Sequence, residues 1–189
     1  MALESGKTPV KELPLWERYA DQFPVRERFT YLNHAAVAPL SKRAARAMQD
    51  LAGDCLEFGS FHYDEWLAVY EGLRAAAARL VGAERSEIAI VKNTSEGIAT
   101  VAIGLDWKAG DRVVGFREEF PANYFPWKRL EQRGVAMTWL SIHDSLDRID
   151  EACRGARLLA VSFVQYMGGY RAPLEVIGEI CQRNRCIFL

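Results

Sequence analysis

The chain has 189 residues, of which 50% are hydrophobic and 26% are charged, and its formal net charge at pH 7 is −1. This balance is typical of a globular protein with a real core, and it gives no indication of a nucleic-acid partner or of an anionic membrane surface. Because no apolar run is long enough to cross a bilayer and the N-terminus is polar, we expect a cytoplasmic protein with no membrane contact.

Residues 1–82 are predicted to form an N-terminal arm and two helices. The arm is rich in charge and proline, with one short helix at residues 15–22. A helix is predicted over residues 41–58 because Ser41 is a suitable N-cap. A second helix is predicted over residues 64–81, where apolar side chains recur at helical spacing and a glycine follows.

From residue 83 to residue 189, predicted strands alternate with predicted helices. The predicted strands cover residues 88–91, 112–116, 135–140, 158–164 and 186–189. The predicted helices between them cover residues 95–105, 123–133, 145–153 and 174–184. This alternation implies crossover connections, so we predict an α/β fold in which three layers, α-β-α, enclose a mostly parallel sheet.

The sequence ends on four apolar residues, CIFL, inside the last predicted strand. A terminal carboxylate is costly to bury in such a strand. We therefore expect the chain to be the front part of a longer protein. Residues 83–189 would then be an incomplete large domain, and a C-terminal small domain would be absent from this chain.

The four cysteines, Cys55, Cys153, Cys181 and Cys186, form no CxxC pair. They also show no zinc-like spacing with the three histidines. We therefore expect reduced thiols and no metal site.

Three unusual loops follow predicted strands. They are KNTSEG after the first strand, REEFPANYFPW after the second and FVQYMGGYR after the fourth. Ligands of open parallel sheets bind at the carboxyl ends of the strands. If these strands are neighbours, the loops meet at one crevice, and their shared position indicates a ligand site more strongly than any single loop does.

The first loop has the composition of a phosphate cradle. Asn93 is placed to cap the following helix, and Thr94 and Ser95 put two hydroxyls beside its free backbone N–H groups. Asn93 and Glu96 also fit a plain capping box, which is the preferred interpretation of this segment taken alone. No glycine-rich motif for a dinucleotide or a nucleoside triphosphate is present.

The second and third loops offer an aromatic ring and polar groups. Phe120 stands nearest to the strand end in the second loop, where a ring can stack on a flat ligand. The other aromatic residues of that loop are interpreted as a cover for the seam between helix and sheet. Ser162 and Gln165 lie at the end of an apolar strand, where polar side chains hydrogen-bond ligands. The alternative is that they satisfy the backbone of their own loop.

Four segments occur in an order that resembles the class V aminotransferase family. They are YLNHAAVAPLS, VKNTSEGIATVAIGL, EEFPANYFPW and VSFVQYMGGYRAPLEVIGEICQRNRCIFL. The family consists of fold-type I enzymes that use pyridoxal 5′-phosphate (PLP), and it includes the cysteine desulfurases and isopenicillin N epimerase-like proteins. The resemblance covers residues 31–189. It implies the large domain of a PLP-dependent transferase, PLP as cofactor, an amino acid substrate, aldimine chemistry in the full-length protein and a homodimer.

The resemblance also assigns residues to the site. Thr94 and Ser95 correspond to the turn that holds the PLP phosphate, and Phe120 corresponds to the aromatic residue stacked on the pyridine ring. Ser162 belongs to the cofactor-binding set. Gln165 is expected to contact the phenolic oxygen, because phenylalanine stands here at the position of the desulfurase asparagine. The segment with Asn33, His34 and Ala35 matches one that lines the substrate side of the pocket, although a structural hydrogen bond is an equally good interpretation of His34.

The catalytic groups of the family are expected beyond Leu189. They are the aspartate that pairs with the pyridine nitrogen and the lysine that forms the Schiff base, and no lysine of this chain matches. We expect this chain alone to be inactive, with weak or absent PLP binding, and its parent protein to be an enzyme. The alternatives are a non-catalytic α/β module that binds a phosphorylated ligand or a protein partner, and a purely structural fragment. The substrate and the reaction type stay open.

Overall fold

A computed structural model describes residues 13–189 of the chain. The chain divides into two units, one ending at Arg85 and the other running from Ser86 to Leu189. The part of the predicted arm that precedes residue 13 lies outside the described residues. No helix in residues 13–189 combines the length and the apolar character needed to cross a membrane.

The first unit is helical. Its elements are helix α1 (Leu15–Arg18), 3₁₀ turns at Ala20–Gln22 and Pro24–Glu27, helix α2 (Lys42–Phe58) and helix α3 (Tyr63–Val81). The hydroxyl of Ser41 accepts a hydrogen bond from the Ala44 amide at 3.2 Å, which caps α2. Gly82 ends α3 in the left-handed conformation, with φ 70°. The two long predicted helices are therefore confirmed.

The second unit contains a four-stranded parallel sheet. Its strands are β1 (Arg112–Phe116), β2 (Ala136–Leu140), β3 (Leu158–Leu159) and β4 (Ile187–Phe188). Their order is β2-β1-β3-β4, and every pair is parallel. Val114 of β1 lies opposite Thr138 of β2 on one side and opposite Leu159 of β3 on the other. The parallel sheet that the alternation predicts is confirmed.

Helices cover both faces of this sheet. They are α4 (Thr94–Gly104), α5 (Phe125–Arg129), α6 (Leu146–Cys153) and α7 (Leu174–Arg183). Val113 packs in one buried cluster with Ile98 of α4 and Trp127 of α5. Val114 packs in another with Ile177 of α7, to which α6 also contributes. Because successive strand residues point to opposite faces, the sheet lies between two helical layers, as predicted.

The predicted strand at residues 88–91 is wrong. These residues follow a 3₁₀ turn at Arg85–Glu87 and form no ladder with any strand in the described part of the chain. An apolar, β-branched run indicates extended backbone, but a strand of the sheet must also take part in its ladder. Residues 88–91 have no place in the observed ladder.

The predicted strand at residues 158–164 is shorter than expected. Regular pairing covers Leu158–Leu159. At Ser162 the amide donates to the carboxylate of Glu119, at 2.6 Å, instead of to a neighbouring strand. A side chain thus takes over the backbone donor at the carboxyl end of this strand.

The predicted helix at residues 123–133 is broken into three pieces. A 3₁₀ turn at Pro121–Asn123 precedes the five-residue helix α5, and a second 3₁₀ turn follows at Leu130–Arg133. Pro126 has no N–H group to donate, so it is tolerated only in the first turn of a helix. The position of this proline therefore sets where α5 begins.

Candidate functional site

Helix α4 begins with a complete N-terminal cap. The Oδ1 atom of Asn93 accepts the Glu96 amide at 2.9 Å, and the Oε2 atom of Glu96 accepts the Lys92 amide at 2.7 Å. The Asn93 half of the predicted capping box is therefore confirmed, whereas Glu96 accepts the Lys92 amide instead of the Asn93 amide. Lys92 lies one residue before the cap, and its backbone amide is hydrogen-bonded to the carboxylate of Glu96.

Two amides of this turn have no hydrogen-bond partner among the described residues. The Gly97 amide donates to the Asn93 carbonyl at 3.2 Å, and the Glu96 amide donates to the Asn93 side chain. Within residues 13–189, the amides of Thr94 and Ser95 donate to no protein acceptor. They lie at the positive end of an 11-residue helix, where an anion is favoured. The turn therefore offers two free backbone donors, together with the hydroxyls of the same two residues.

Ser95 and Phe120 line one cavity of about 550 Å³. Its walls are mostly apolar side chains of α4 and of residues 120–133, among them Ile103 and Phe125. The Phe120 side chain is 52% exposed, so its ring is accessible to a ligand. The first and the second predicted loops thus border the same space.

The third predicted loop contacts the second loop at Phe120, beside this cavity. The ring of Tyr166 packs edge-on against the ring of Phe120, with centroids 5.1 Å apart. Gln165, the residue before Tyr166, donates to Glu119, the residue before Phe120. Two successive residues of one loop therefore contact two successive residues of the other, and the loops converge as the strand order predicts.

Glu119 organises the polar groups at this edge of the sheet. Its side chain is buried, with the whole residue 5% exposed. It accepts the Ser162 amide at 2.6 Å, the Ser162 hydroxyl at 2.5 Å and the Gln165 side-chain amide at 3.3 Å. Ser162 and Gln165, both predicted as cofactor contacts, are therefore held together by one carboxylate. Glu119 is not among the predicted site residues, although an acidic residue directly before Phe120 is a signal for it.

The neighbouring Glu118 ties the ends of two strands together. Its carboxylate accepts the Ser141 hydroxyl at 2.7 Å and the Ile142 amide at 3.0 Å, just after β2. Burial acts to raise the pKa of Glu118, but the hydrogen bonds from Ser141 and Ile142 outweigh it, so the pKa lies below its ordinary value. Glu118 is therefore a structural carboxylate that fixes the start of the loop carrying Glu119 and Phe120.

The predicted substrate contacts, Asn33, His34 and Ala35, lie in the first unit. All three are exposed, and the Ala36 amide donates to the Asn33 carbonyl at 3.3 Å. The His34 ring packs edge-on against Tyr31, with centroids 5.3 Å apart, and it borders a cavity of about 680 Å³ within this unit. Their role toward a substrate stays a prediction.

Comparison with known proteins gives a family match over most of the chain. Residues 30–189 match the family model described as Aminotransferase class-V. A probable cysteine desulfurase of Pyrococcus abyssi is 35% identical over 127 residues, which are 64% of this chain and 32% of that protein. The uncharacterized aminotransferase YcbU of Bacillus subtilis is 29% identical over 179 residues, which are 89% of this chain and 46% of that protein.

A solved structure shows the same fold. A mutant of C-DES with glycine covalently linked to its PLP cofactor matches with a TM-score of 0.81 and 22% sequence identity. The match covers 93% of this chain and 48% of that one, so the chain spans less than half the length of the proteins it resembles. The matched range shows that this chain belongs to the class V aminotransferase family, and the structural match shows that it has the fold of that PLP-containing protein.

Proposed function

We propose that this chain is the N-terminal portion of a PLP-dependent enzyme that acts on an amino acid, and that its α4 turn and Phe120 hold the cofactor. The observation that carries the proposal is the pair of free amides on Thr94 and Ser95, beside the cavity that Phe120 borders. The names of the relatives support it, because they include a probable cysteine desulfurase and an aminotransferase.

The residues present fit the two ends of PLP. The phosphate end needs oriented donors, which the amides and hydroxyls of Thr94 and Ser95 supply at a helix N-terminus. The ring end needs an accessible aromatic surface, which Phe120 supplies. The side-chain nitrogen of Gln165 carries two protons and gives one to Glu119, so one proton remains for a ligand oxygen.

Each residue has a separate task. When bound, PLP supplies an electron sink for bond breaking at the substrate's Cα or Cβ. Thr94 and Ser95 anchor the phosphate, and Glu119 orients Ser162 and Gln165. Phe120 packs on the ring but has no titratable group, so it moves no proton. From the resemblance, Asn33, His34 and Ala35 border the amino acid, and the whole protein is a cytoplasmic homodimer.

The affinity of this chain for PLP is expected to be weak. A few charge-assisted hydrogen bonds contribute about 1.5–3 kcal/mol each. The loss of translational and rotational freedom on association costs about 4 kcal/mol or more. The balance corresponds to binding in the millimolar range.

Titration with inorganic phosphate, followed by amide NMR, tests the cradle. We expect the amides of Thr94 and Ser95 to shift, and we expect Ser95→Ala to weaken binding. Glu96→Gln is the matched control, because a glutamine oxygen still accepts the Lys92 amide while a charge that repels anions is removed. This variant should bind phosphate at least as tightly as the unsubstituted chain does. If no amide between Thr94 and Gly97 moves, the turn is only a helix cap.

A further inference from the structure

Three cysteines from separate elements meet inside the second unit. Cys153 is the last residue of α6, Cys181 lies in α7, and Cys186 directly precedes β4. The Cys186 amide donates to the Cys181 carbonyl at 2.9 Å, which folds the connection back over the end of α7. Arg185 permits this tight turn by adopting a left-handed conformation, with φ 54°.

The three sulfur atoms lie within 4.8 Å of one another. Zinc bonds to thiolate sulfur at about 2.3 Å, so three sulfurs around one ion must lie about 4 Å apart. The observed spacing needs only a small contraction to reach that geometry. All three residues are buried in the apolar cluster between the sheet and helices α6 and α7.

A positive charge, that of Arg112, lies close to this cluster. Asp150, one helical turn before Cys153 in α6, brings a negative charge to the same region. One terminal nitrogen of Arg112 donates to the Arg154 carbonyl, while its Nε atom is buried without a hydrogen-bond partner within residues 13–189. A buried N–H group without a partner is costly. Negative charge on the nearby sulfurs would offset that cost.

We propose that Cys153, Cys181 and Cys186 form a binding site for one thiophilic divalent ion, with zinc as the biological candidate. Three thiolates carry a charge of −3, and one divalent ion reduces it to −1, so the ion removes most of the charge that the thiolates would bring into the interior. Thiolate ligands select soft ions over magnesium or calcium, whose preferred ligands are oxygens. The site is separate from the proposed cofactor site, because the three cysteines pack in the cluster of α6 and α7 and do not line the cavity beside Ser95 and Phe120.

Binding exchanges protons for the ion. Each thiol gives up its proton to solvent as its sulfur bonds to the metal, and no oxidation or reduction takes place. The Cys186 thiol must also turn away from the Ile187 carbonyl oxygen, 3.7 Å from its sulfur. Binding should therefore release protons and weaken as the pH falls.

The sequence gives no signal for this site. Cys181 and Cys186 are separated by four residues rather than two, and Cys153 comes from another helix. A zinc motif is recognised by short, regular spacing. Here parallel strand order and helix packing bring the third ligand to the other two.

A cadmium titration of the full chain under reducing conditions tests the proposal. We expect an ultraviolet thiolate-to-cadmium charge-transfer band that saturates at one ion per chain, and we expect zinc to displace cadmium. Cys55→Ser is the matched control, because Cys55 is exposed on α2. It should leave the titration unchanged. Cys153→Ser and Cys181→Ser should each weaken binding by more than about tenfold, since even changes outside the ligand set cost 10–100-fold.

A second measurement does not depend on the folding of any variant. X-ray absorption of the zinc-loaded parent chain should show three sulfur neighbours at about 2.3 Å. The proposal is overturned if no band forms, if the band survives both cysteine substitutions in folded protein, or if it disappears in Cys55→Ser. A zinc shell built from nitrogen or oxygen alone would overturn it as well.

Discussion

Glu119 is the residue on which the polar part of the candidate site depends. Its buried carboxylate accepts three hydrogen bonds, two from Ser162 and one from Gln165. Those partners lie 43 and 46 residues away in sequence. Thr94, Ser95 and Phe120 can be selected from the sequence because each stands next to a strand or helix end. Glu119 cannot be assigned its partners in this way, since they depend on which strands become neighbours.

Removal of the Glu119 carboxylate should destabilise the second unit. In Glu119→Ala, the Ser162 amide and the Gln165 side chain lose their buried acceptor, which should lower the free energy of unfolding by about 1–3 kcal/mol. Urea denaturation measures the change. Glu131→Ala, at an exposed position, is the control and should change the free energy of unfolding by less than about 0.5 kcal/mol. Equal stabilities of the two variants would contradict the role given to Glu119.

At the scale of elements, the periodicity of the sequence predicts the helices, whereas the strands depend on which segments pair with one another. Helices α2 and α3 follow from their caps and apolar spacing, and both are present. After Arg112, strand β1 is apolar and buried between two neighbours, as a central parallel strand should be. Residues 88–91, IAIV, are also apolar and β-branched, but they are not part of the ladder formed by β1 to β4. Sequence alone cannot distinguish these two cases because both runs are apolar and β-branched.

Gly115 provides a test of the packing between β1 and β2. It lies opposite Trp139, and a Cβ atom at Gly115 would come within 2.6 Å of the Trp139 ring. That ring is stacked on Tyr124, with centroids 4.2 Å apart. Gly115→Ala should therefore cost about 1–3 kcal/mol through overpacking. Gly104→Ala is the control, because a Cβ atom there meets nothing within 4 Å. Thermal unfolding would refute the packing argument if both variants melted alike.

Asp150 links helix α6 to the end of α7 and should make stability depend on pH. It accepts Asn184 Nδ2 at 2.7 Å and Arg183 Nε at 3.1 Å, and these hydrogen bonds, from Asn184 first, lower its pKa. A carboxylate with a lowered folded-state pKa stabilises above its unfolded pKa of about 4, and the effect is lost as the pH falls through the folded-state value. Asp150→Asn should be less stable than the parent at pH 7.

The pH dependence of stability distinguishes the charge of Asp150 from its packing as the cause of the effect. The difference in stability between the parent and Asp150→Asn should shrink as the pH falls below about 4. Asp106→Asn, at an exposed position, is the control for the removal of one surface carboxylate. Chemical denaturation across this pH range measures all three proteins. A difference between parent and Asp150→Asn that stays constant with pH would show that the charge of Asp150 is not involved.

At the scale of the whole molecule, large apolar side chains of helices α2 and α3 are exposed. Their exposures run from 45% for Tyr70 to 86% for Leu80. The exposed residues are Met48, Leu51, Leu56, Phe58, Tyr63, Leu67, Val69, Tyr70, Leu73, Leu80 and Val81. Exposed apolar surface on this scale is typical of an interface. We therefore propose that the protein self-associates through these two helices.

Light scattering over a wide range of protein concentration tests self-association. We expect a dimer or a larger assembly, and we expect Leu56→Glu combined with Leu80→Glu to shift the chain toward monomer. Both side chains are more than 80% exposed, with values of 85% and 86%, so the substitutions should leave the fold intact, which circular dichroism can check. A parent chain that is monomeric at all concentrations would contradict the proposal.

An NMR titration with three ligands tests most directly whether this chain holds PLP at the turn of α4. The ligands are PLP, inorganic phosphate and pyridoxal without phosphate. PLP should shift the amides of Thr94 and Ser95 together with the ring protons of Phe120, whereas phosphate should shift the two amides alone and pyridoxal should bind more weakly than PLP. If PLP moves the amides but never the Phe120 ring, the turn belongs to a module for phosphorylated ligands. If PLP moves neither, the account of the cofactor site is contradicted.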